Sequence, residues 1–382
     1  MFKKHSNFPL APETLKINYS HLSPYSKKAI ADLDKKSTYS DKKLIGTFFP
    51  RKNYIIHFKN LKLYMNLGLK LTKIHRCIMF QQTSFIKPFI EKCTYFRQQA
   101  KTKFEQDQFK KVANCVYGKT IQNQRNYVSV KLHTNVKSYK RAVSHPSFKH
   151  FTIIGENLVQ TTHTPTEIIH DKPIYAGFTI LELSKHFMFD FYYNKLTNNL
   201  PCTIELGMSD TDSLLFKVNN YNLFKSHVHS FMDYSNYPTN HPLFSNQNKS
   251  KLGFFKDELA GKYFCTEFVG LKSKCYSMKL HDTFQSNPPT DKKVCKGLGR
   301  LAIKNRLKFS HYKKCLFDNI PKRLDFHVIA SRKHKITTNR VNKKALTHFD
   351  SKRFILKCGI HSEPYGSDLI KYKCKKCKNL LN

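Results

Sequence analysis

The alternation of apolar and polar positions divides the chain into stretches of different period. Residues 1–45 are polar and punctuated by proline in FPLAPE (8–13) and LSPYSKK (22–28), so they read as loops and an exposed basic segment. Between 46 and 80, the runs 54–58 and 72–79 look like short strands, and Leu61, Tyr64 and Met65 mark a short helix. From 85 to 117 the pattern turns helical. Pro88 breaks its start, and neither Gly nor Pro follows until Gly118, the place of a C-cap glycine. YVSVKL, FTIIG and LVQTT within 125–170 alternate as strands. In 174–196, Ile180, Leu183, Phe187 and Phe191 form a helical stripe, which predicts a core helix carrying no chemistry. TIEL (203–206) and FKV (216–218) then flank SDTDSLL (209–215), a hairpin with acid at its tip. A polar loop (219–250) leads to strands ending in GLKSKCYSM (270–278). Residues 295–319 predict a basic helix striped by Leu301, Ile303 and Leu307, and 324–337 a strand running into SRKHK. Separate helical and strand-like stretches of this kind predict an α+β fold.

Composition narrows the partners. With 67 Lys and Arg against 26 Asp and Glu, the formal net charge is +41, which points to a polyanion. No stretch approaches the ~18 consecutive apolar residues of a spanning helix, and the N-terminus lacks the apolar core of a signal peptide, so the expectation is no membrane. The 11 cysteines are odd in number and mostly scattered, which reads as reduced thiols in the nucleus or cytoplasm. With 51 Phe and Tyr the chain can bury a large core, and its length predicts two or three sub-domains. One cysteine cluster needs weighing. Cys358 and His361 are spaced C-x2-H, Cys374 and Cys377 C-x2-C, and four such side chains could ligate zinc. Incidental thiols in a basic tail explain them more simply, because the first pair has mixed spacing.

Candidate chemistry centres on Asp210 and Asp212. Two like charges this close repel unless a cation lies between them, and Mg²⁺ prefers carboxylate oxygen. An Asx-type turn with capping acids is the plainer alternative for that stretch alone. Lys110, Asn114 and Tyr117 are spaced i, i+4, i+7 and share one helical face. There the lysine would meet a triphosphate as a point charge and the ring a base or sugar. Arg97 lies about 220° from Lys110 on one straight helix, at ~100° per residue, and can join it only if the segment folds back as two helices. Lys274 and Tyr276, two apart in a strand, would emerge on one side.

Three motifs in this order carry a resemblance. FKKVANCVYGKT (109–120), SDTDSLL and GLKSKCYSM resemble motif B, motif C and the K-x-Y motif of family B DNA polymerases. KPIYAGFTILELSK, LGFFKDE, CKGLGR, SRKHK, SKRFIL and YGS are similar too, and together they match the protein-primed branch of Polinton/Maverick-type transposons and related viruses. The resemblance runs from FPLAPE to YGS. It implies a partial right-hand polymerase fold, with an antiparallel palm sheet backed by helices, helical fingers and a basic thumb. The segments would be an N-terminal palm part with a primer-protein contact region (1–84), fingers (85–118), an insertion (119–173), palm core (174–290), and thumb with basic tail (291–382). It implies a DNA-directed DNA polymerase using two Mg²⁺ ions, with DNA template and primer, dNTP and a terminal protein as partners. Asp212 and Asp210 would be the motif C acids. Lys110 and Arg97 would face the triphosphate, Asn114 and Tyr117 the nascent base pair, and Lys274 and Tyr276 the primer end.

This sequence departs from the pattern in three ways. Cys115 stands where Ser is usual and Met208 where Tyr often precedes DTDS. No D-x-x-x-L-Y-like motif A is found, nor an exonuclease domain. The resemblance therefore implies a C-terminal fragment with little synthesis of its own. The competing reading is a non-catalytic, basic DNA-binding remnant of a mobile-element polymerase.

Overall fold

The computed structural model describes residues 9–32, 42–198, 200–283, 288–332 and 334–367. In chain order the elements are β1 (Glu13–Leu15), α1 (Pro24–Asp32), β2 (Lys43–Ile45), α2 (Phe58–Asn66), α3 (Lys87–Gln99), α4 (Lys103–Thr120), β3 (Ser129–His133), α5 (Val136–Val143), β4 (Phe148–Gly155) and β5 (Leu158–His163). There follow α6 (Ile174–Asp190), running into a π-helical turn (Phe191–Leu196), then β6 (Ile204–Asp210), β7 (Ser213–Val218), α7 (Tyr221–Val228), β8 (Tyr263–Lys272), β9 (Cys275–Asp282) and β10 (Thr290–Cys295). The last elements are α8 (Arg300–Arg306), α9 (Phe309–Phe317), β11 (Lys322–Arg332), β12 (Lys335–Leu346), β13 (Phe354–Ile355) and β14 (Ser362–Glu363). Helices mix with several small sheets whose registered pairs are antiparallel, in keeping with the α+β expectation.

The chain divides into two compact units. The first comprises residues 1–81, 182–324 and 342–382, the second 82–181 and 325–341. In the first unit the sheet β10-β9-β8 is backed by α9, whose Tyr312 and Cys315 are fully buried. Burying a large apolar side chain of this kind is worth about 1.5–3 kcal/mol. A second cluster packs Leu10, Leu63, Tyr64 and Leu67 of the α2 region against Tyr193. The β6–β7 hairpin lies beside β8, with Gly207 against the Phe268 ring.

In the second unit, α3 and α4 form a helical hairpin whose Phe96 and Phe109 rings stack with centroids 5.3 Å apart. The fold-back that Arg97 required is therefore present. It is made without Gly or Pro, by an N-cap. The Thr102 hydroxyl accepts from Glu105 N–H (3.2 Å) while the Glu105 carboxylate accepts from Thr102 N–H (3.1 Å). This reciprocal capping box satisfies orphan amides at the start of α4. The same unit contains the sheet β3-β5-β4, with α5 packed on β3 and β5.

Several expectations need correction. Residues 54–58 and 72–79 are not strands: Tyr54 and Ile56 pack irregularly onto the Leu63–Tyr64 cluster, and no strand pairs with 72–79 among the described residues. Gly118 lies inside α4, which continues to Thr120. The 1–45 and 219–250 stretches, read as loops, contain β1, α1, β2 and α7. The basic segment 295–319 is two helices, with Leu307 buried between them and Leu301 exposed, so its stripe is not one buried face. On α6, Ile180, Leu183 and Phe187 are each more than a third exposed, whereas Glu182 is 5% exposed.

Candidate functional site

The acid-tipped hairpin forms as the pattern predicts. β6 and β7 pair up to Asp210↔Ser213, leaving Thr211 and Asp212 as a two-residue tip. Asp212 N–H donates to Asp210 C=O at 2.7 Å, closing a tight turn centred on Thr211 at φ +58°. A β-branched residue in the left-handed region is a true outlier, costing of order 1–3 kcal/mol, and such strain concentrates where a site needs an unusual backbone. The Asp212 carboxylate is exposed and has no partner among the described residues. Asp210 is half-buried.

A second hairpin apex meets the first. Lys272 pairs with Cys275, so Ser273 and Lys274 form the β8–β9 turn. Lys274 therefore sits in the turn, at φ +56°, and not in the strand with Tyr276 as the i, i+2 argument assumed. Its ammonium lies 3.2 Å from Asp210 Oδ1. Acid and base motifs 64 residues apart in sequence thus converge at one point. Tyr276 stands on β9, with its ring 6.0 Å from that of Phe268. Burial pushes its hydroxyl up; Lys292 and Lys274 oppose this, while Glu258 and Asp210 add to it. Phe268 touches both Gly207 of the acid hairpin and Tyr276, so it joins the two halves of the constellation. Sequence reasoning missed Phe268, Lys292 and Glu258. Only the alternation of β10, which sets Lys292 on the face of Val294, carried any hint.

The second unit holds the other candidates. Lys110, Asn114 and Tyr117 do lie along one face of α4, with Lys110 and Asn114 exposed and Tyr117 half-buried. None of the three side chains, nor Arg97 near the end of α3, has a hydrogen-bond or ion-pair partner among the described residues. The opposite face of α4 contributes Val112, Cys115, Val116 and Lys119 to a shallow apolar hollow of about 560 Å³, closed by Phe89 and Pro173. That hollow is roughly 180° round the helix from Lys110, at ~100° per residue. Cys115, the departure from the usual Ser, therefore faces away from the candidate nucleotide surface.

The residues present suit Mg²⁺ in a limited sense. Among the described residues no cluster of three or more His, Cys, Asp or Glu side chains is placed to hold a metal. Mg²⁺ is commonly held by only one or two carboxylates, with water and substrate phosphate completing its shell, and Asp210 and Asp212 offer that many. Cys358 and His361 come together, Sγ to Nδ1 3.3 Å, but as a local turn, since His361 N–H also donates to that sulfur. Cys374 and Cys377 lie outside the described residues. Among the described residues no helix is long and apolar enough to cross a membrane. Compared with protein-family models, with curated proteins and with solved structures, the chain finds no match in any of the three.

Proposed function

We propose that this chain carries the motif C and motif B parts of a protein-primed, family B-like DNA-directed DNA polymerase. The observation that carries the reading is the Asp210–Lys274 ion pair, because it joins the apices of the two motifs that the resemblance assigns to metal and primer end. Asp212, with Asp210 beside it, would hold Mg²⁺, which when bound neutralises phosphate charge and activates the primer hydroxyl. Lys274 has a second role open to it. Its ammonium can leave Asp210 for a primer phosphate, since both groups are partly exposed and such a pair is worth only ~0–1 kcal/mol. Tyr276 presents a half-buried phenol beside it. In the second unit, Lys110 and Arg97 supply positive charge for the triphosphate, while Asn114 and Tyr117 offer an amide and a ring to the base. The +41 net charge supports contact with the DNA backbone, and sequence would be copied by base pairing and not read by side chains.

A second reading is favoured by one observation, the lack of a third metal-ligating group near the two aspartates among the described residues. In that reading the chain is a basic DNA-binding remnant without catalysis. Gel-shift titration of primer–template separates the two. The polymerase reading expects affinity to rise when Mg²⁺ and the next complementary dNTP are added together, and this gain to vanish in Asp212→Ala. The remnant reading expects affinity that falls steeply with salt and ignores both dNTP and Asp212→Ala. Primer extension by the chain alone should be weak, because no motif A is found in its sequence. Robust Mg²⁺-dependent incorporation would show that the missing aspartate is supplied from elsewhere in these residues.

A further inference from the structure

Among the described residues, four buried free thiols, Cys275, Cys295, Cys315 and Cys358, lie in the first unit and take no part in the proposed chemistry. Cys275 opens β9 and Cys295 closes β10, and the antiparallel register sets them directly opposite each other. The next pair outward is the hydrogen-bonded one, with Lys296 N–H donating to Lys274 C=O at 2.9 Å. Hydrogen-bonded and open pairs alternate along such a ladder. The cysteines are therefore an open pair, whose Cα atoms lie about 4.5 Å apart and whose side chains approach most closely. A disulfide spans Cα separations of roughly 4.4–6.8 Å, so the pair can close without moving either strand far.

The surroundings favour that closure. The hydrogen bond between the two sulfurs is the largest influence on both. It pushes the Cys275 thiol up and the Cys295 thiol down; burial works to raise Cys295, and the charges of Lys272 and Lys343 work to lower it. Cys295 is thus the thiol that ionises first and attacks. Both sulfurs are buried, one residue pair in from the exposed turn 272–274, so peroxide reaches them through local opening of that turn.

We propose that Cys275 and Cys295 are an oxidisable pair that closes into a cross-strand disulfide under hydrogen peroxide. The Cys295 thiolate attacks one peroxide oxygen; the O–O bond breaks and the departing hydroxide takes up a proton as water, leaving a sulfenic acid. The Cys275 sulfur then attacks the Cys295 sulfur, the S–O bond breaks, and the hydroxyl leaves with the Cys275 proton as a second water. Two thiols are oxidised to one disulfide and one peroxide is reduced to two waters. The new bond staples the strand ends directly beneath Lys274, so it locks the turn that carries the Asp210 ion pair. Its consequence for primer binding rests on the polymerase reading; the disulfide itself does not.

The test treats the full chain with hydrogen peroxide, alkylates the remaining thiols under denaturing conditions, and maps linked peptides by non-reducing mass spectrometry. The expected result is one dominant linkage, Cys275 to Cys295, reversed by dithiothreitol, abolished in Cys275→Ala and in Cys295→Ala, and retained in Cys315→Ser. The oxidised chain should also melt several degrees higher than the reduced one. Full alkylation of Cys275 and Cys295 after peroxide overturns the proposal, as does a dominant linkage through Cys315. A melting curve on each variant shows whether it is folded, so a lost linkage is not mistaken for lost structure. Because no DNA is present, failure here leaves the polymerase reading standing, and failure of the dNTP titration leaves the disulfide standing.

Discussion

Glu182 and the Asp210–Asp212 pair belong to the same unit, yet their surroundings are finished in opposite ways. The Glu182 side chain is 6% exposed. It accepts from Asn60 Nδ2 (2.9 Å), from His57 N–H (3.2 Å) and from the Lys185 ammonium (2.6 Å). Asp210 has one ion pair at a half-exposed apex, and Asp212 has none among the described residues. A sealed carboxylate with every oxygen engaged holds structure together. An open pair on a strained turn leaves lone pairs free for a cation from solution. The difference teaches that burial and function are separable for acids in this chain, and five substitutions can break or sharpen the contrast.

The largest expected effect is functional. Asp212→Ala should abolish the gain in primer–template affinity from Mg²⁺ plus complementary dNTP, while changing unfolding free energy by no more than about 0.5 kcal/mol. If instead the variant unfolds early in urea and keeps the dNTP effect, the apex is structural and the contrast disappears.

Glu182→Ala should do the reverse. It strands Asn60, His57 N–H and Lys185 around a buried hole, and breaking such a pair from one side costs about 3–5 kcal/mol; Lys185 is partly exposed, so the lower end applies. The loss should depend on pH. Burial works to raise the Glu182 carboxyl, but hydrogen bonds from Asn60 and Lys185 and the nearby ammonium outweigh it, holding the group below the usual carboxylate range. A depressed folded value means its stabilisation is full above the unfolded pKa of about 4.3 and fades as pH falls through the folded one. Urea titrations at neutral and acid pH should therefore find wild type and variant far apart at pH 7 and converging in acid.

The hairpin tip was readable because two apolar runs enclosed two acids, and nothing beyond local alternation was needed. The Lys274 turn was not readable, since Ser273–Lys274 has none of the Gly, Asn or Pro that announce a reversal. The run 72–79 shows the limit of period-2 reasoning. Alternation says which way side chains would point in a strand, but not whether a partner strand exists. Glu182 was invisible for a different reason. It is one acid in the middle of an apolar helix, and its partners His57 and Asn60 lie 125 and 122 residues away. The capping box at Thr102–Glu105 is written in the sequence as T-x-x-E, a helix start that needs neither Gly nor Pro to mark it.

Two glycines carry the same open-versus-sealed contrast into the second unit. A Cβ on Gly177 of α6 would collide with Ile121 and the Thr120 hydroxyl, whereas one on Gly118 meets nothing within 4 Å. Gly177→Ala should destabilise by about 1–2 kcal/mol, overpacking outweighing the gain in helix propensity. Gly118→Ala, in the interior of α4 and facing open space, should stabilise by about 0.5–1 kcal/mol. Opposite shifts in melting temperature confirm the packing. Equal shifts would mean that α4 and the start of α6 are not in contact as described.

The most local effect concerns the cap that allows α3 and α4 to be two helices. Thr102→Ala removes the acceptor for Glu105 N–H, while the Glu105 carboxylate, held below its ordinary range chiefly by the backbone N–H of residue 102, keeps that bond and the one from Lys101 N–H. Losing an N-cap threonine costs about 1 kcal/mol. Because Phe96 and Phe109 still stack across the hairpin, the fold-back should survive, and hydrogen exchange should quicken only in the first turn of α4. Thr102→Ser, which keeps the hydroxyl, should restore most of the protection. If exchange instead quickens through Lys110 and Asn114, the cap is what holds the whole candidate nucleotide face, and the second unit depends on one hydroxyl as the first depends on Glu182.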